Sequence, residues 1–371
     1  MTSLIRRLLL GLGVIACGSA GAAQRDPLAP LPVSPPMQVP PQAPPATFAN
    51  APPKTFATGV APSALRDDIN RLGRGFDGKA GIAVVSLRDG WAVDFASTSL
   101  FPQQSCSKLW VAITALDAID RGVVSLSDRV TIARDDLTLF HQPIAARIRG
   151  GGHTTTVGAL LFTAITESDN TANDSLMRSI GGPAAVRDMI QRKGLGAVRF
   201  FDGERSLQSR IAGLTWSQSY SIGDAFYKAR SALPMPIRRA SFERYLSDPY
   251  DGAAPRSVAT ALTRLKRGDL LSPASTARLL SIMGQTRTGK ARVRAALASG
   301  WRWSHKTGTG QALGGRIGGI NDIGLLTAPD GTVYAMALMT VPNKSNGQAQ
   351  GLMQAVTKAV IAAHERRRAG Y

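Results

Sequence analysis

The chain has 371 residues, 44% of them hydrophobic. That is enough for one large domain or two small ones with a proper core, which excludes a wholly disordered protein. Its 44 Lys and Arg outweigh 25 Asp and Glu, giving a formal net charge of +19, but the cations are spread along the chain without the aromatic-studded basic motif of a nucleic-acid reader. The charge predicts attraction to anionic surfaces; nucleic acid is not an expected partner.

Residues 1–23, MTSLIRRLLLGLGVIACGSAGAA, read as an export signal, with Arg6 and Arg7 ahead of a short apolar run and then small residues. The run is too short to span a bilayer. Two processing routes fit it. In one, VIAC followed by Gly18 is a lipoprotein-type site and Cys17 becomes a lipidated N-terminus; in the other, cleavage falls near Ala22 or Ala23. A twin-arginine signal fits poorly at Ile5 and Leu9. The second cysteine is Cys106, so on either route the mature protein has no intrachain disulfide and holds together by core packing. The expected location is the periplasm, free or held to the membrane by lipid.

Residues 24–62 carry more than half of the 22 prolines and almost no charge. Such a stretch cannot bury enough apolar surface to fold alone. It reads as an extended tether, with a reach of about 3.1 Å per residue. The folded domain is expected from 63 to 371. It opens with SALRDDINRLG, where Ser63 stands at a cap position before helical spacing. Two strand-like runs follow, KAGIAVVSL (79–87) and WAVDFAS (91–97), joined by the turn signal Arg88-Asp89-Gly90 into a hairpin. At the far end WRWSHKTG, NDIGLLTA and TVYAMALMTV are three more strand-like runs, the last two joined by Pro329-Asp330-Gly331, and a helix closes the chain from about 348 to 367. Together these predict an α/β (α+β) fold: a five-stranded antiparallel sheet with flanking N- and C-terminal helices (63–97 and 287–371) and an all-helical lobe (98–286). Active sites favour the seam between two such lobes.

Within the helical stretch, LWVAITAL (109–116) is apolar all round, the mark of a buried helix. Ser105 and Lys108 stand one turn apart at its N-terminal end. There a desolvated amine can accept a hydroxyl proton, and the helix N-terminus favours anionic charge developing nearby. The spacing taken alone is also a common chance match. Farther on, Ser168-Asp169-Asn170 lies between two helical runs and offers a hydroxyl and a side-chain amide; alone, it is equally a helix cap. Lys306-Thr307-Gly308-Thr309-Gly310 lies on an edge-like strand, where the glycines permit close backbone approach. Alone, it is equally a decorated turn.

The three motifs in this order resemble the serine β-lactamase and penicillin-binding protein superfamily. The stretches SDNTAND, ASGWRWSHKTGTG and GGINDIGLLTAPDG are similar to class A β-lactamases, over roughly Ser63 to the C-terminus. In that family a glutamate activates a water, and its signature is Glu, two residues, Leu, Asn. Here DGERSLQS supplies Glu204 and Leu207, then Gln208 where Asn is usual. A solvated loop carboxylate is the alternative reading of Glu204. The stretch from 213 to 248 departs from the family pattern and reads as an insertion beside the site, and QALGGRIGG lengthens a strand connection.

The resemblance implies roles. Ser105 is the nucleophile, its proton passing to Lys108 or through water to Glu204, and Ser168 relays a proton to the leaving nitrogen. Backbone N–H groups of Ser105 and Thr309 form the oxyanion hole. Asn170 binds the substrate amide, Gln208 helps to hold the water, and Lys306, Thr307 and Thr309 bind the substrate carboxylate. Arg292 supports that carboxylate, with Arg316 as a rival that reads equally as a surface charge. No metal or cofactor is implied: His141, His153, His305 and His364 lack metal-ligand spacing. His305 reads as a strand filler and Cys106 as a small buried residue. The expected activity is β-lactam hydrolysis by a monomer. The alternatives are a D-alanyl peptidase or transpeptidase acting on peptidoglycan peptides, which does not need Glu204, and a sensor that acylates once.

Overall fold

The computed structural model describes residues 59–344 and 346–369. The predicted export signal, Cys17 and nearly all of the tether lie outside the described residues. Helix α1 (Ser63–Arg74) begins with Pro62 at the cap and Ser63 as its first helical residue, so the serine makes no capping bond. Leu65 and Ile69, four residues apart and fully buried, lay one apolar stripe on the sheet. Arg71 and Arg74 end the helix where its carbonyls favour cations.

The sheet is built from β1 (Gly78–Ser86), β2 (Ala92–Phe95), β3 (Arg302–Thr309), β4 (Ile320–Thr327) and β5 (Val333–Pro342), in the antiparallel order β2-β1-β5-β4-β3. The predicted five-stranded sheet is therefore observed, with the chain ends supplying its centre. Register is set by two-residue alternation. Ala83, Val85, Ala335 and Ala337 face the helical lobe, whereas Ile82, Val84, Met336 and Leu338 face α1 and the closing helix (Asn346–Arg368). With both faces covered, the strands read as nearly unbroken apolar runs, which is why they were legible.

The helical lobe surrounds α2 (Lys108–Asp120), in which every residue from Lys108 to Ala118 is buried. It packs against α3 (Val157–Thr166), α4 (Asn170–Ser179) and α5 (Gly182–Arg192). Ser105 precedes α2 in a tight 3₁₀ turn, Gln104–Ser107. The 213–248 stretch follows α6 (Glu204–Ile211) and forms α7 (Ala225–Ala232) and α8 (Met235–Ser247). It is tied to both sides of the seam. Gln142 Nε2 donates to Ser221 O at 3.1 Å, and Phe226 packs edge-on against Phe140. On the other side Arg230 donates to Ala312 O at 2.8 Å, and Arg316 pairs with Glu243 at 2.6 Å. Ala312 and Arg316 belong to the small hairpin in the lengthened β3–β4 connection.

Candidate active site

The turn and the first residue of α2 bring a hydroxyl and an amine together. Lys108 Nζ donates to Ser105 Oγ at 2.8 Å, to Asn170 Oδ1 at 2.8 Å and to the Glu204 carboxylate. An ammonium has three donors, and all three are used. The side chain of Lys108 has no solvent exposure, so these contacts replace its hydration shell, and any proton it gives up has one anionic receiver in contact. Asn170 is the first residue of α4, with Asp169 capping that helix through Ala172 N at 2.8 Å. Its Nδ2 donates to Leu139 O at 2.7 Å, which fixes the amide with its oxygen toward the lysine.

Glu204 is 4% exposed, so the reading of a solvated loop carboxylate is set aside. It opens α6, and its backbone N–H donates to both carboxylate oxygens of Asp174 at 3.1 Å. Asp174 thus caps α6 from another helix. Burial, with the charge of Glu204 beside it, pushes the Asp174 carboxyl up to about 6. Gly203 makes the approach possible. Its φ is +86°, and a Cβ there would sit 2.8 Å from Met177 Cε and 3.1 Å from the Asp174 oxygens.

The second amine comes from the sheet edge. Lys306 Nζ donates to Ser168 Oγ at 2.8 Å and to Thr307 O at 3.0 Å. Ser168 holds a left-handed backbone, φ 62°, which turns its hydroxyl toward the strand. Burial, reinforced by the charge of Lys108, lowers the Lys306 amine to about 7. The two pairs meet at the seam: Cys106 Sγ, one residue after Ser105, lies 3.5 Å from Lys306 O. Gly308 sits so near the Ser105 turn that a Cβ would lie 2.3 Å from Gln103 O. Since Gly310 N donates inward to Gly319 O at 2.8 Å, strand alternation turns the Thr309 N–H to the open edge.

Arg292 is 8% exposed and reaches the strand from below. Its guanidinium donates to Asn321 O at 2.6 Å, Gly308 O at 3.0 Å and Thr309 Oγ1 at 2.6 Å. It therefore supports Thr309 instead of standing free in the site. Arg316 is occupied by Glu243. The Thr307 hydroxyl lies 2.6 Å from that of Thr288. His305 points away from Lys306, with Nδ1 2.6 Å from Asp322 Oδ1. Cys106 is fully buried, and burial pushes its thiol up to about 12, so it is inert at neutral pH.

Sequence reasoning missed a buried network beside Glu204. Gln208 Nε2 donates to Glu204 Oε2 at 3.2 Å and to Gln104 Oε1 at 3.1 Å, and Gln208 Oε1 accepts from Gln311 Nε2 at 3.0 Å. Gln104 holds φ 53° directly before the nucleophile. Asp251 grips its N–H at 2.7 Å, and Tyr245 of α8 accepts from its side chain at 2.6 Å. The paired glutamines ahead of Ser105 were the available signal.

A sequence model of the Beta-lactamase enzyme family matches residues 64–364. The chain is similar to extended-spectrum β-lactamase PER-1 of Pseudomonas aeruginosa, 26% identical over 282 residues, covering 76% of this chain and 80% of the relative. It is also similar to β-lactamase Toho-1 of Escherichia coli, 24% identical over 299 residues, covering 80% and 88%. A solved β-lactamase from Chitinophaga pinensis superposes with a TM-score of 0.67 at 25% identity, covering 81% of this chain and 99% of that one. Sheet, paired serines and lysines, and relatives agree that the chain belongs to the Beta-lactamase enzyme family and is a serine hydrolase of the class A kind.

Proposed function

We propose that the protein hydrolyses β-lactams through a Ser105 acyl-enzyme that Glu204 clears with an activated water. The observation that carries this reading is the position of Lys108, in contact at once with Ser105 Oγ, Asn170 Oδ1 and Glu204. With all its donors used, Lys108 takes the serine proton only after passing one of its own to Glu204, and their direct contact offers that route. Glu204 through a water is the other route. Ser105 Oγ then attacks the lactam carbonyl, whose oxygen is received by the backbone N–H groups of Ser105 and Thr309. The C–N bond breaks, and the leaving nitrogen takes the Ser168 hydroxyl proton, which Lys306 at 2.8 Å can replenish. Before deacylation Glu204 gives up the proton it received to solvent, from which Lys306 regains its own. Glu204 then removes a proton from the water that attacks the ester, and that proton returns through Lys108 to Ser105 as it leaves.

Lys306, Thr307 and Thr309, backed by Arg292, would bind the substrate carboxylate, and Asn170 its amide. The peptidase alternative is less well supported because Glu204 is buried against the lysine, where a transpeptidase has no use for it. One assay separates the readings. The mature protein is mixed with a chromogenic cephalosporin, a labelled penicillin and a D-alanyl peptide. Many cephalosporin turnovers per enzyme support the hydrolase. A stoichiometric burst with lasting label refutes it in favour of a sensor, and D-alanine release as the main reaction refutes it in favour of a peptidase. Export to the periplasm and a lipid on Cys17 belong to the same proposal, and the intact mass of the exported protein tests them.

A further inference from the structure

The 213–248 segment does more than border the site. We propose that Tyr245 of α8 is a positioning residue for deacylation: anchored on Asp251, its hydroxyl fixes the Gln104 amide, which with Gln311 holds the Gln208 amino group on Glu204. The inference rests on the β-lactamase reading above.

The direction of each hydrogen bond supports it. Asp251 is 1% exposed, and its two oxygens accept from different donors, Gln104 N at 2.7 Å and the Tyr245 hydroxyl at 2.9 Å. Because the Tyr245 proton goes to Asp251, its oxygen is left as an acceptor, and it takes Gln104 Nε2 at 2.6 Å. Gly318 O takes the same amino group at 3.0 Å. Gln104 Oε1 is therefore turned toward Gln208 and accepts from its Nε2 at 3.1 Å. From the other side Gln311 Nε2 donates to Gln208 Oε1 at 3.0 Å and to Gln208 O at 2.8 Å. Both ends of the Gln208 amide are thus assigned, and its second N–H falls on Glu204 Oε2.

An amide has one donor end and one acceptor end, so a single reversal in this chain would place two like ends together. All five side chains are buried, and water cannot repair such a mismatch. In its ionised form the buried Asp251 sets the polarity, and Tyr245 transmits it. The same anchor holds Gln104 in its left-handed conformation one residue before Ser105, a conformation that a non-glycine residue keeps only when its surroundings enforce it.

Tyr245→Phe removes the hydroxyl and keeps the ring that packs in the core. Rapid mixing with a chromogenic cephalosporin, with intact mass read at steady state, separates acylation from deacylation. Deacylation is expected to slow about tenfold, while acylation stays within about twofold. Gln104→Met removes the intermediate link, should give the same split, and keeps the test valid if Tyr245→Phe folds poorly. The double variant should be no worse than the worse single one. An equal loss in both steps, additive losses, or no change in either variant overturns the proposal. A wild-type protein that never turns over a lactam overturns the underlying reading as well; a wild type that turns over normally beside an unaffected Tyr245→Phe overturns this inference alone.

Discussion

Glu204→Gln is the sharpest perturbation the site allows, because it keeps volume and one acceptor oxygen while removing the charge opposite Lys108. That amine has no solvent exposure and no other anionic partner among its contacts. Truncating a buried pair costs about 3–5 kcal/mol; the retained amide oxygen should limit the loss to the about 1.5–3 kcal/mol of one charge-assisted bond. The new amino group meets Gln208 Nε2, which now donates to Glu204 Oε2 at 3.2 Å, so two donors face each other and water placement suffers too. Loss of a general base lowers a rate by about 10²–10⁴, or about 3–5 kcal/mol of barrier. Acylation also uses Glu204 as the receiver of a Lys108 proton, but in the variant Lys108, relieved of its counter-ion, can lose that proton to solvent instead, so acylation should slow less than deacylation. The assay is intact mass and peptide mapping after brief mixing with a labelled penicillin, and Ser105 should be found modified and slow to clear. Turnover within about twofold of wild type would remove Glu204 from the mechanism. Lost turnover without any adduct would mean that acylation cannot proceed without the Glu204 carboxylate, and would refute a separate role for Glu204 in deacylation.

Lys306 titrates near 7, and only its ammonium attracts a substrate carboxylate, so kcat/KM should fall as pH rises above that value. Lys306→Arg, charged at every accessible pH, should lose that alkaline limb even if its overall rate is lower, and an unchanged limb refutes the assignment. Burial raises the Asp251 carboxyl to about 7 from an ordinary 3.8, so between these values the folded state binds more protons than the unfolded one. Its stabilisation is present below about pH 4 and is lost as pH climbs through 7, by up to about 4 kcal/mol. Asp251→Asn should flatten that slope in urea melts taken from pH 4 to 8, leaving the smaller share of Asp174; an unaltered slope contradicts the assignment. Gly308→Ala would press a methyl 2.3 Å from Gln103 O and should cost about 1–3 kcal/mol. Thermal melts check it, and a wild-type Tm would mean that the strand does not lie so close to the nucleophile turn.

Most of the sheet was legible because its strands are buried on both faces and punctuated by turns, Arg88-Asp89-Gly90 and Pro329-Asp330-Gly331. The buried helix α2 was legible for the same reason: its apolar run has no polar face to hide. Each of the three motifs was found because its own spacing is local, whereas Ser168 and Lys306, 138 positions apart, were linked only by the order of the motifs and the resemblance. Ser105 and Lys108 are one turn apart, and Ser168 and Asp169 lead directly into the helix that Asn170 opens. What local spacing cannot reveal is a partner far along the chain. Gln104 meets Tyr245 across 141 positions and Gln208 across 104, and no periodicity encodes such pairings. Asp174 as a cap for α6 was hidden likewise, since capping signals are sought within the same segment and not on another helix.

The glutamine at 208, which departs from the family pattern, and the added helix α8 are parts of one arrangement. A longer amide reaches Glu204 directly, but it also has more rotatable bonds and could present either end to the carboxylate. Its neighbours remove that freedom: Gln311 claims the oxygen and Gln104 shares the amino group. Gln104 can do so only because Tyr245 accepts from it, and Tyr245 is delivered by α8. Arg316, bound to Glu243 on the same helix, and Arg230, bound to Ala312, fasten this segment to the connection after β3, so the helix that orients the deacylation machinery is also fixed to the strand proposed to hold the substrate. Shortening position 208 to asparagine would therefore not restore the family's usual geometry; it would leave Gln104 and Gln311 facing a gap that their own partners prevent them from closing.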